Sequence, residues 1–81
     1  MSRVYQAIDW QRKSLGRLHG MRFIAITRTG ATLDSRLCRP CPSAAYLVDT
    51  DGFAPIINRQ HDGTLSLDTE FTSIQILKEQ A

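Results

Sequence analysis

Met21-Arg22-Phe23-Ile24-Ala25-Ile26-Thr27-Arg28-Thr29-Gly30-Ala31-Thr32-Leu33-Asp34-Ser35-Arg36-Leu37 holds two β-prone runs interrupted once, at Thr29-Gly30. Strand side chains alternate between faces, so Ile24 and Ile26 share one face of the first run, and Leu33 and Leu37 share one face of the second. The link suits a three-residue hairpin loop, a type I turn followed by Gly30 in the left-handed conformation. An isolated hairpin is marginal in water, so the segments on either side must cover its apolar face.

Downstream the chain repeats short strand, tight turn, short strand. Ala44 to Asp49 turns at Thr50-Asp51-Gly52 into Phe53 to Asn58, where Pro55 argues for an edge or a bulge. His61-Asp62-Gly63 leads into Thr64 to Asp68, and the last run, Phe71 to Leu77, puts Ile74 and Ile76 on one face and Phe71 and Leu77 on the other. Lys78 to Ala81 reads as a frayed terminus.

Upstream, Ser2 to Gly20 admits two readings. As a helix it gathers Val4, Ala7, Ile8, Leu15 and Leu18 in one stripe, with Ser2 as N-cap, Arg17 and His19 near the C-terminal end and Gly20 to close it. Val4 to Trp10 also suits a short strand, and Gly16 costs a helix interior up to about 1 kcal/mol. The helix is the preferred reading. The predicted fold is therefore α+β, with an N-terminal helix packed on a four- to six-stranded antiparallel sheet that can curl into a small barrel. Residues 1–81 form a single domain on this reading, since no repeat, low-complexity tract or linker divides them. The expected core is Ile24, Ile26, Leu33, Ile74 and Ile76, with Ile8 and Leu15 from the helix.

A chain of 81 residues buries only roughly 60 to 65% of the surface its unfolded form exposes, so the core is thin. The composition, 42% hydrophobic and 22% charged, is that of a globular domain rather than a disordered one. The longest apolar run is the four residues Phe23 to Ile26, and no apolar segment follows Met1 as in a signal peptide. A cytoplasmic location without membrane contact is the expectation.

The net charge of +2 hides an asymmetry: residues 1–40 carry eight Lys and Arg against Asp9 and Asp34, whereas residues 41–81 carry Arg59 and Lys78 against six carboxylates. Such a division points to a charged partner, to head-to-tail self-association, or to neutralisation across the folded surface. On the predicted helix Arg3, Trp10 and Arg17 recur every seven residues with Lys13 nearby. These four form the candidate binding strip, an indole among cations that combines a stacking platform with an electrostatic footprint. The competing reading packs Trp10 into the core and leaves the cations as a solvated face.

Cys38-Arg39-Pro40-Cys41-Pro42 reads as a bend. A Cys-x-x-Cys pair can form half of a zinc site, with His19 and His61 as further ligands, but a second ligand pair is missing. A redox reading wants a helix after the first cysteine, and Pro42 opposes it. Asp49-Thr50-Asp51-Gly52 resembles a fragment of a calcium loop without the acidic ligands that must follow. Reduced thiols, no metal and no cofactor are expected.

No phosphate loop, His-Glu metal helix or nucleophile elbow is present, and so short a chain leaves little material for an enclosed pocket. The expectation is a small non-catalytic protein-binding or regulatory module, acting on a protein partner or by self-association as a homodimer. The alternative is a nucleic-acid-binding domain using the basic N-terminal half, for which a pI of 8.8 is modest support.

Overall fold

The computed structural model describes residues 4–51 and 54–80. Arg3, one member of the candidate strip, lies outside them. Among the described residues seven strands are formed: β1 (Val4–Ala7), β2 (Arg22–Thr27), β3 (Thr32–Cys38), β4 (Tyr46–Asp49), β5 (Pro55–Arg59), β6 (Leu65–Leu67) and β7 (Phe71–Gln80), with one helical turn, α1 (Leu15–Leu18), between β1 and β2. Every pairing is antiparallel, in the order β1-β7-β2-β3-β4-β5-β6, and the sheet curls into a half-barrel.

The N-terminal helix predicted from the apolar stripe does not form. Val4 to Ala7 instead pairs with Leu77 to Gln80, which makes the sheet seven-stranded rather than four- to six-stranded. The cause lies at the other end of the chain. β7 continues through Gln80 as a strand, so the segment read as a frayed terminus presents main-chain groups that a neighbour must satisfy. Val4 and Tyr5 favour that pleated environment. Of the stripe, only Leu15 and Leu18 are helical, and both are buried.

The central hairpin closes as the turn chemistry predicts. Thr27 donates its N–H to the Ala31 carbonyl at 2.8 Å, and Gly30 sits at a φ of 90°, a conformation that glycine adopts without steric cost. Gly63 does the same in the β5–β6 turn, with a φ of 88°. A register shift lies between Leu47 and Val48, where Val48 comes opposite Pro55, the bulge that the proline suggested.

The core register differs from the expected one. Phe23 and Ala25 are fully buried, whereas Ile26 is 41% exposed and Ile24 is half-buried. Ala25 lies opposite Leu33 on one side and Ile74 on the other, and Phe23 lies opposite Ile76. These residues form one buried cluster with Leu37, Leu47, Ile56 and Ile57. Arg22, Ile24 and Ile26 therefore point to the convex face, where Arg22 reaches Asp34 in a two-point ion pair at 2.9 and 2.7 Å and stacks 4.8 Å from the centre of the Tyr5 ring. Ile76 and Leu15 are buried as expected, and Ile8, Leu33 and Ile74 pack at the core's margin.

Candidate functional site

The segment from Ile8 to Met21 crosses the mouth of the half-barrel and positions the cations. Ile8 donates its N–H to the Ile76 carbonyl at 3.0 Å, and the Gln11 carbonyl accepts from Leu65 of β6 at 2.8 Å, so the segment is pinned to both ends of the sheet. A turn closes from Lys13 N–H to the Trp10 carbonyl at 3.1 Å. The α1 turn then drops Leu15 and Leu18 into the core, and Gly20 and Met21 exchange bonds of 2.7 and 2.8 Å with Leu37.

This path leaves a hollow of about 700 Å³ beside β1, lined by Gln6, Ala7, Ile8, Asp9, Lys13, Arg17, Met21 and Lys78. Three cations meet one carboxylate there. Asp9 accepts a long bond of 3.4 Å from the Gln11 N–H. Among the described residues Lys13, Arg17 and Lys78 make no ion pair, in contrast to Arg22, which pairs with Asp34. The hollow is open to solvent and positively charged, a setting suited to binding anionic groups.

Two members of the candidate strip, Lys13 and Arg17, thus share the hollow. Trp10 does not line it; the indole is half-buried and packed against the core cluster. Lys78 was missed because the C-terminal residues read as frayed. Its signal was the alternation of β7: Lys78 follows Ile74 and Ile76 at even spacing, hence on the concave face.

A second hollow, about 350 Å³, is lined by Gly16, His19, Arg39, Pro40, Cys41 and Pro42. His19 accepts the Arg39 N–H at its Nδ1, 2.9 Å away. Cys38 is half-buried and Cys41 exposed, both as free thiols. The Ser43 hydroxyl, 3.4 Å from the Cys41 sulfur, holds that thiol below its ordinary range, with nearby N–H groups and Arg39 contributing. His61 lies in the exposed turn between β5 and β6. Among the described residues no three His, Cys, Asp or Glu side chains gather as a metal-binding group. Among them also, no helix is long and apolar enough to cross a membrane.

No protein-family model matches the chain, and comparison with curated proteins and with solved structures finds no significant match.

Proposed function

We propose that this chain is a small non-catalytic binding module whose partner is an acidic protein segment, held at the hollow beside β1. The observation that supports it is the convergence of Lys13, Arg17 and Lys78 on one concavity, with Asp9 the one carboxylate among the described residues that line it. Like charges gathered in excess of their counter-charge repel one another, and incoming carboxylates relieve that repulsion. Each exposed pair contributes up to about 1 kcal/mol, so affinity requires several at once. Self-association as a homodimer is the accompanying proposal, supported by Ile26, 41% exposed on the convex face; sedimentation equilibrium tests it against the monomer mass of 9.1 kDa.

Nucleic-acid binding is the weaker reading, because the indole that would stack on a base is packed against core side chains instead. The test compares labelled poly-glutamate with a single-stranded oligonucleotide at low salt, by fluorescence anisotropy. The proposal expects poly-glutamate to bind and the double charge reversal Lys13→Glu with Arg17→Glu to weaken it at least tenfold. Tighter binding of the oligonucleotide, with a loss of about 1 to 3 kcal/mol on Trp10→Ala, would favour the nucleic-acid reading.

A further inference from the structure

Among the described residues β1 ends the sheet, with β7 on one side and no strand on the other. The bond from Ile8 N–H to the Ile76 carbonyl sets which main-chain groups are used. In an antiparallel ladder hydrogen-bonded and non-hydrogen-bonded pairs alternate. With Ile8 opposite Ile76, Gln6 opposite Lys78 is hydrogen-bonded, and Tyr5 opposite Glu79 and Ala7 opposite Leu77 are not. The N–H and C=O groups of Tyr5 and Ala7 therefore point away from the sheet, and no hydrogen bond among the described residues reaches them.

Edge strands in folded proteins are ordinarily guarded by proline, charged side chains, bulges or covering segments. The opposite edge has such a cover, since Leu65 of β6 donates to Gln11. Val4-Tyr5-Gln6-Ala7 carries no charge and no proline, pairs without a bulge, and leaves Val4 61% exposed. The same strand borders the basic hollow, through Gln6 and Ala7.

We infer that β1 receives the partner as an added β-strand, an extended segment with acidic residues at alternate positions; this rests on the acidic-partner reading above. Gln6 and Lys78 share the concave face with the hollow, and Tyr5 and Ala7 share the convex one with Leu77. In a strand added to β1, every second side chain projects toward Lys13, Arg17 and Lys78, where carboxylates are favoured. The intervening side chains meet Ala7 and Tyr5, where apolar residues fit. Main-chain bonds to Tyr5 and Ala7 supply register, and the alternating charge supplies selectivity. The partner is thus recognised by a Val-Glu-Val-Glu pattern rather than by acidity alone.

The test titrates the full chain with a synthetic peptide of alternating Val and Glu, following affinity and site-resolved amide exchange. The Tyr5 and Ala7 amides should exchange freely in the unbound protein and slow at least tenfold when the peptide is present. Methylating the main-chain nitrogens of one alternate set, either the Val or the Glu residues, should weaken binding at least tenfold, while methylating the other set costs much less. A peptide of the same composition in separate Glu and Val blocks should bind more weakly. If both methylated peptides bind as tightly as the parent, strand addition is overturned while the acidic-partner reading survives. If the parent binding ignores Lys13→Glu with Arg17→Glu, the acidic-partner reading itself fails. Protection of Tyr5 and Ala7 that grows with protein concentration in the absence of peptide would assign the edge to a second copy of this chain and overturn the inference.

Discussion

The main-chain N–H of Ile8 donates to the carbonyl of Ile76 across 3.0 Å, joining the first strand to the last. This one bond sets β1 alongside β7 and divides the amides of β1 into those used by the sheet and those facing out. Gln6→Pro deletes a bonded N–H, whereas Ala7→Pro deletes one that points outward and removes no stacked side chain. The first substitution should destabilise by about 1 kcal/mol more than the second, in keeping with one lost hydrogen bond, as read from urea midpoints. Equal costs would mean that β1 is paired in a different register.

The register of β2 makes a larger prediction. Phe23→Ala removes a fully buried side chain and should cost about 3 to 5 kcal/mol. Ile26→Ala, on the convex face, should cost well under half as much. Chemical denaturation of the two variants checks this, and the opposite ranking would reverse the two faces of the hairpin.

The faces were in fact legible, although side-chain size alone favours Ile24 and Ile26. A loop of Arg28, Thr29 and Gly30 sets Thr27 against Ala31, and counting back from that pair puts Ala25 opposite Leu33. Since Leu33 and Leu37 alternate with Asp34 and Arg36, their face must be the buried one, and it carries Phe23 and Ala25. The turns at Gly30 and Gly63 could be read locally because a positive φ is a property of one residue. The fate of Val4 to Ala7 could not, because it depends on partners seventy or more positions away. In the site, Lys13 and Arg17 were found for their charge; Trp10 was grouped with them by a helical period that the chain does not adopt. Lys78 required knowing that β7 runs to its end.

On the convex face, the Arg22 guanidinium bonded to Asp34 holds that carboxyl below the usual aspartate range. A depressed folded-state value means that the stabilisation is present above the unfolded-state value and is lost as the pH falls through the folded one. An NMR titration should find the Asp34 midpoint low, and Arg22→Gln should raise it toward the ordinary range. An ordinary midpoint in the unsubstituted chain would show that the pair does not persist in solution.

Cys41 is exposed and its thiol is lowered chiefly by the Ser43 hydroxyl, whereas Cys38 is half-buried. Iodoacetamide should therefore label Cys41 before Cys38 near neutral pH, because the thiolate is the reactive form. Ser43→Ala should slow the labelling of Cys41, as followed by peptide mass spectrometry. Faster modification of Cys38 would contradict this account of the bend.

The proposal that the hollow takes acidic segments is tested most directly by mapping amide and side-chain shifts on titration with poly-glutamate at low salt. The predicted perturbations cluster on Gln6, Ala7, Asp9, Lys13, Arg17 and Lys78, the residues brought together around the hollow, and fade as salt is added. Shifts centred on Arg22, Arg28 and Arg36 of the hairpin, or no shifts at all, would contradict it.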